Sequence, residues 1–379
     1  MNISFISTAR YPTEKAYGVT IEESCAAANR LGHISNIVTI GEDGFDNSGN
    51  QIRGINTKIL NLLRFVVSRR KSSTFTKVAF SFSSIALALR LRKVATSTDN
   101  LILWARDILL VYVLQLMKYQ GIVVLEIHHV PRGVNAKLLQ RISNSNLVLI
   151  TTLTRAHKIA LQQTLKNERI AICPMAVPTS FFIDSSEKKS SGELVIGYIG
   201  KATSSGQDNG LEQLFPLIKK LSETNIKFIF QFVGLESSAV SRFTKEIERL
   251  AIPSNLVSFL GNVPHSEILK YLRKMDIGFV PYPESPYNQA RFPIKIPEYA
   301  AARCAIFATD TTAHREILDD SLATFYSPED PSSLLSEVLC FIASDPKFAH
   351  KTAAAATWAE DFTYERRISD VLKALEIDG

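Results

Sequence analysis

Two Rossmann-like, doubly wound α/β domains facing a central cleft are the fold class this chain predicts, on three observations. At 379 residues it exceeds the roughly 250–300 residues beyond which a single hydrophobic core stops growing. Short apolar runs of strand length alternate with helix-like periodicity in both halves, the pattern of βαβ units whose sheets are covered on both faces. A polar, serine-rich stretch at 183–193 interrupts that alternation, and a fresh apolar run follows directly. This predicts an N-terminal domain over 1–182, a linker over 183–193 and a C-terminal domain over 194–379.

The elements follow in order. Residues 3–7 are a short apolar strand, residues 21–31 a helix closed by Gly32, and residues 37–40 the next strand. Runs at 101–104, 122–125 and 147–150 repeat the strand signal at spacings that leave room for crossover helices. In the second half, strand-like runs at 194–200, 228–233, 257–260, 277–280 and 305–308 alternate with helical patterns such as 211–221 and 265–273. A last helical pattern covers 358–375 and is a candidate to cross back to the first domain. In tandem units of this kind ligands gather at the carboxyl ends of the strands, so the site is expected between the domains.

Composition narrows the class. An apolar fraction of 46% and a charged fraction of 21% are those of a folded globular protein. No apolar run approaches the ~20 residues of a membrane-spanning helix, and the start lacks the basic flank of a signal peptide. The expected location is therefore the cytoplasm. Cys25, Cys173, Cys304 and Cys340 show no CxxC spacing, which argues against a zinc site or a disulfide framework. The net charge of +6 is uneven: residues 1–180 carry +12 and residues 181–379 carry −6. The basic half suits peripheral contact with an anionic lipid surface, such as the inner face of the plasma membrane. Within it, residues 58–71 form a basic amphipathic stretch, with Ile59, Leu62, Leu63 and Val66 on one helical face. Nucleic acid is not an expected partner.

The most specific segment is 287–310. Pro293 is expected to open a helix whose first free amides, with Ile294 in that turn, make an anion site. Lys295 adds a full positive charge. Glu298, on the same helix face, can accept two hydroxyls of a ribose. A second block runs from Ile196 through Gly200, Lys201 and Gly206 to Asn209 and Gly210, a strand, a glycine-bearing loop and a helix start; Lys201 is placed to neutralise a leaving diphosphate. The GxGxxG spacing of a nicotinamide dehydrogenase is absent. Asn262 and Val263 end a strand where backbone groups could read a base edge. In the first half, residues 125–131 bring His128 and His129 to a strand end. Adjacent side chains of an extended chain point opposite ways, so one imidazole faces the site; His128 is favoured, with His129 second. Gly18, ahead of the first long helix, would let the backbone approach a phosphate or sugar.

These blocks resemble glycosyltransferase family 4, whose donor signature is a Pro-x-Lys-x-x-Glu-Tyr helix followed by a small-residue turn and an apolar strand. The resemblance covers nearly the whole chain in order and is strongest over 194–310. It implies the GT-B fold and a retaining, metal-independent transfer from a nucleotide sugar, a UDP- or GDP-sugar used as substrate with no further cofactor. The acceptor is a glycan or lipid-linked hydroxyl, in bacterial surface polysaccharide or lipopolysaccharide synthesis. On it, Gly18, Lys201, Asn209, Asn262, Val263, Pro293, Ile294, Lys295 and Glu298 are donor-binding candidates, and His128, His129, Lys201 and Arg291 are the catalytic ones.

The chain departs from the family pattern at four places. Ala290 stands where many members carry a second Glu, Asn209 where a second basic residue is common, Arg303 at the usual Gly of the turn after the helix, and Ala176 at another Gly. Arg291 is the candidate substitute cation. Two alternatives remain: a sugar-nucleotide epimerase on the same fold, which would turn over donor without acceptor, and a non-catalytic nucleotide-sugar-binding subunit.

Overall fold

The computed structural model describes residues 1–54, 81–91 and 101–376, apart from residues 9, 10, 12, 14, 15, 41, 47, 143, 144, 146, 166–168, 189–191 and 205. The basic stretch 58–71 lies outside the described residues. The chain divides into two compact units, residues 1–174 with 364–379, and residues 175–363.

The first unit is built on eight strands: β1 (Asn2–Ser7), β2 (Ile34–Thr39), β3 (Gly44–Phe45), β4 (Gln51–Gly54), β5 (Leu101–Ala105), β6 (Ile122–Glu126), β7 (Val148–Thr152) and β8 (Ile170–Ile172). Their order is β3-β4-β2-β1-β5-β6-β7-β8, and all pairs are parallel except β3 with β4. The order reverses at β1, where Phe5 registers with Ile37 on one side and Trp104 on the other. That is the switch point at which doubly wound sheets bind ligands. β5, β6 and β7 are buried almost end to end, as strands covered on both faces must be.

The second unit carries β9 (Leu194–Ile199), a small antiparallel hairpin of β10 (Thr203–Ser204) and β11 (Gln207–Asp208), then β12 (Phe228–Val233), β13 (Val257–Leu260), β14 (Ile277–Val280), β15 (Ala305–Thr309) and β16 (Thr324–Tyr326). Six strands form an all-parallel sheet of order β13-β12-β9-β14-β15-β16 with its switch point at β9. Its core is aromatic: Phe215, Phe228, Phe230, Phe232, Phe243, Phe279 and Phe307 are fully buried. Rings such as Phe230 and Phe279 sit 5.9 Å apart, within the range of favourable aromatic pairing.

Three expectations change. The boundary falls between Pro174 and Met175, ahead of residue 182. The stretch expected as a linker is part of the second unit: Ile183 is in its core, the Ile183 amide donates to the Ala301 carbonyl at 3.3 Å, and Lys188 Nζ donates to the carbonyls of Leu272 (3.1 Å) and Ala302 (2.9 Å). The final helical pattern is interrupted, with one helix ending at Ala359, a 3-10 turn over Glu360–Phe362, and a new helix over Tyr364–Glu376. The break occurs because Val177 takes the Phe362 carbonyl out of the helix, its amide donating at 2.8 Å. The helix Tyr364–Glu376 belongs to the first unit, tied there by Arg30 to Glu365 at 2.6 Å. Cys25, Cys173 and Cys304 are buried free thiols and Cys340 is half-buried. Among the described residues, no helix is long and apolar enough to cross a membrane.

Candidate active site

In the second unit the site is assembled at the carboxyl ends of β9 and β14. The helix Lys295–Ala301 is buried at every position. Tyr299 anchors it, the Ile199 amide donating to its hydroxyl at 2.9 Å. This fixes Lys295, 5% exposed, with Nζ donating to the hydroxyls of Tyr198 (3.0 Å) and Tyr282 (2.5 Å). The ammonium also lies over both phenol rings, 4.1 and 4.5 Å from their centroids. It points at the glycine loop, since a Cβ on Gly200 would stand 3.2 Å from Nζ.

Arg291 approaches from the other side. Its guanidinium donates to Asn209 Oδ1 (3.1 Å), Asn288 Oδ1 (3.2 Å) and the Tyr282 hydroxyl (3.4 Å). Asn209 is buried and clasps the loop, its amide group donating to the Lys201 carbonyl at 2.8 Å. Two cations thus meet at Tyr282 on neutral oxygens rather than carboxylates. Burial pulls the Lys295 ammonium below its ordinary value, opposed by Tyr282. Burial would raise the Tyr282 hydroxyl, but Lys295 and Arg291 outweigh it and bring it down. The Tyr198 hydroxyl is pushed up, first by burial and then by Tyr282. Such a cluster is short of negative charge, which a bound anion would supply.

Glu298 is buried on the same helix and pairs at 3.0 Å with His265 Nε2, which stacks on Phe181 at 5.3 Å. A carboxylate oxygen only accepts, so His265 Nε2 carries the proton, and lone pairs remain on Glu298 for further donors. Asn262 is exposed and Val263 half-buried past the edge strand β13. Lys201 is exposed at the loop tip.

The helix starts later than the expected opening at Pro293. The helix begins at Lys295 with Ile294 as its cap. The Ile296 amide donates to the Pro293 carbonyl (3.0 Å), Glu298 donates to Ile294 (3.2 Å), and Pro297 has no N–H. Side chains supply the full positive charges here. Arg303, at the turn where the resemblance expects Gly, adopts φ +52°, the left-handed region glycine favours, and is compensated by an Nε donation to the Ile183 carbonyl at 3.0 Å. Gly210 has φ +77°, and a Cβ there would lie 2.1 Å from the Pro281 carbonyl oxygen. Gly210→Ala is therefore expected to lower stability by about 1–3 kcal/mol and to displace Tyr282, read as a lower denaturant midpoint with weaker donor binding.

In the first unit Glu126, at the end of β6, is 2% exposed. It accepts from Trp104 Nε1 (2.9 Å) and Arg106 Nη2 (2.6 Å), pairs with Arg367 at 2.8 Å, and is in short contact with His128 Nε2. Burial raises the Glu126 carboxyl, but Arg106, Arg367 and His128 together hold it well below the usual carboxylate range. His128 is lowered to about 4, by burial first and Arg106 next, against the pull of Glu126. His129 is exposed. Gly18 lies inside the first turn of the helix Ala16–Arg30 rather than ahead of it. A Cβ there would stand 2.3 Å from the Thr13 carbonyl oxygen, so close backbone approach accounts for the glycine.

Sequence reasoning assigned no role to Tyr198, Tyr282, His265 or Glu126. Tyr198 read as one residue of an apolar strand, and Tyr282 lay past the run at 277–280. Glu126 stood in a quoted segment, but its partner Arg367 is 241 positions away, and no local pattern links them. Among the described residues no group of three or more His, Cys, Asp or Glu side chains is placed to hold a metal ion.

Residues 193–344 match the family model described as glycosyl transferases group 1. Over 117 residues the chain is 32% identical to the putative teichuronic acid biosynthesis glycosyltransferase TuaH of Bacillus subtilis (strain 168), covering 31% of this chain and 27% of that relative's length. Among solved structures, a glycosyltransferase from Rickettsia africae superposes with a TM-score of 0.74 at 16% identity, covering 100% of this chain and 98% of that one. HepE of Anabaena, in complex with UDP and glucose, superposes with a TM-score of 0.70 at 13% identity, covering 98% and 99%. Sucrose-phosphate synthase from Thermosynechococcus elongatus gives 0.71 at 11% identity, covering 100% of both chains. The fold class is that of GT-B glycosyltransferases, two Rossmann-like units with parallel sheets. The segment 193–344 is similar to the glycosyl transferases group 1 family, and the chain spans about a quarter of the length of the curated relative it matches.

Proposed function

We propose that this chain is a retaining GT-B glycosyltransferase that binds the diphosphate of a UDP- or GDP-sugar at Lys295, Arg291 and Lys201 and its ribose at Glu298, passing the sugar to a hydroxyl of a glycan or lipid-linked acceptor in bacterial surface polysaccharide synthesis. One observation carries the reading: a buried ammonium and a guanidinium converge beneath a glycine loop with neutral oxygens as their partners, an environment that a dianionic diphosphate completes. Arg291 stands against Asn209, the position where the resemblance expects a basic residue, and supplies the charge that Asn209 lacks.

Fixed cations act where charge develops as the nucleotide leaves, and they stabilise that step without reorganising. The similar HepE, in complex with UDP and glucose or with UDP-glucose, supports a uridine donor over guanosine, and TuaH supports an anionic cell-surface glycan. In this reading His128 of the first unit acts as a neutral hydrogen-bonding group. Contact of the first unit with an anionic membrane completes the reading and rests on the charge of +12 carried by residues 1–180.

Calorimetric titration with a panel of nucleotide sugars tests this proposal. Glu298→Ala is expected to weaken the binding sugar nucleotide by about 1.5–3 kcal/mol, a charged hydrogen-bond pair, and unchanged affinity rules out the ribose assignment. Turnover of donor in the absence of any acceptor, with a changed sugar as product, would instead identify an epimerase.

A further inference from the structure

We propose that the second unit carries a separate small-molecule site, at the amino ends of β14 and β15, that takes an α-amino acid with an apolar side chain. The cations Lys295 and Arg291 lie toward the carboxyl ends of the same sheet, so the inference stands apart from the transferase reading and does not depend on it.

A cleft of about 430 Å³ opens beside Asp276, the residue before β14, and Ala305, the first of β15. That volume is within the range of small-molecule sites. One wall is apolar, formed by Phe341 and by Phe348, Ala349 and Ala353 of the helix Pro346–Ala359. Phe341 and Phe348 meet edge to face with centroids 5.3 Å apart, so the wall is fixed by its own packing.

Two charged side chains in the lining have capacity to spare. Arg303 donates from Nε to the Ile183 carbonyl at 3.0 Å, which leaves the terminal nitrogens of its guanidinium for a ligand. Asp276 accepts the Val195 amide on Oδ2 at 2.8 Å, which leaves Oδ1. Burial raises the Asp276 carboxyl, against the Val195 amide and Lys188, so its anion gains from a cation brought close. Among the described residues no ion pair joins Arg303 to Asp276. The other charges of the lining are spent. Lys188 Nζ serves the carbonyls of Leu272 and Ala302 and the Cys304 sulfur at 3.2 Å, and Asp345 takes the Lys347 amide at 3.0 Å and its ammonium at 3.6 Å.

This pattern selects a ligand class. A guanidinium fork suits a carboxylate, an available carboxylate oxygen suits an ammonium, and the phenyl wall takes an apolar side chain. A zwitterionic amino acid presents all three, whereas a plain acid brings like charge to Asp276 and a plain amine brings it to Arg303. The backbone supports the assignment. Arg303 at φ +52° and Ser344 at φ +60° both line the cleft, and left-handed strain at residues other than glycine gathers at binding sites.

The test is a ligand-observed NMR titration of the full chain with L-phenylalanine, phenylacetate and 2-phenylethylamine. L-phenylalanine is expected to bind with a Kd of about 1 mM or tighter, and each analogue, lacking one charge, at least about 10-fold more weakly. Arg303→Gly accepts the left-handed backbone without strain and so keeps the fold; it is expected to weaken L-phenylalanine by at least about 10-fold. Ala353→Phe, at an exposed position of the helix, fills the cleft from outside and is expected to abolish binding. No binding of L-phenylalanine below about 10 mM, an analogue that binds as well, or unchanged affinity in either variant overturns the proposal.

Discussion

Replacement of Lys295 by methionine is expected to lower kcat/KM for a nucleotide-sugar donor by about 10²–10³-fold, the cost of removing a preorganised charge from a developing anion, while the melting temperature stays unchanged or rises. The two outcomes come from one cause. Lys295 is 5% exposed and spends its hydrogen bonds on the phenols of Tyr198 and Tyr282, so the site holds a buried ammonium that burial disfavours. Methionine fills much the same volume without the charge and relieves that cost. Sites that trade stability for activity behave this way. A variant that keeps its activity sinks the diphosphate assignment, and one that loses several degrees of melting temperature makes Lys295 a structural residue.

The second large effect is on stability. Glu126→Ala is expected to destabilise the first unit by about 3–5 kcal/mol, because it strands Arg367 and Arg106 in a poorly hydrated setting without their carboxylate. The pH dependence follows from the direction of each shift. Glu126 is held below its ordinary 4.5, so its contribution is fully present above that value and is lost as pH falls through the folded-state pKa. His128 is lowered from 6.5 to about 4, so between those two values the unfolded chain binds more protons and acid destabilises the fold. Thermal melts from pH 7.5 to 4 should show the wild type weakening below about 6.5. A gap between wild type and Glu126→Ala that widens toward acid would contradict the ion-pair account.

Much of this was legible from residue patterns because strand burial is a local property. The runs at 228–233, 257–260 and 277–280 coincide with β12, β13 and β14, and β14, inside the sheet, is buried and apolar throughout, as a parallel strand covered on both faces must be. Lys295 and Glu298 were visible as a spaced pair on one helix. What surrounds them was not: Tyr198 and Tyr282 meet Lys295 across 97 and 13 positions of chain, and a tyrosine reads the same whether its hydroxyl faces a void or an ammonium. The misplacement of the helix start at Pro293 has a simple cause. A proline favours a first helical turn, but the chain holds a second one, Pro297, inside the helix Lys295–Ala301. The 183–193 stretch was polar enough to look like a tether, yet Lys188 caps two carbonyls of the second unit, a contact no turn propensity encodes.

The chain enters the second unit at Met175 and leaves it at Thr363, so the first unit is written in two separated parts. Arg367, which grips Glu126 and the Pro174 carbonyl, lies in the later part. On a ribosome, the ion cluster on Glu126 must therefore wait with its carboxylate only partly matched while nearly two hundred residues are threaded and folded in between. Nascent chains halted before residue 367 would carry an unfinished, acid-sensitive first unit alongside a second unit already able to fold, an order of maturation imposed by gene layout rather than by affinity.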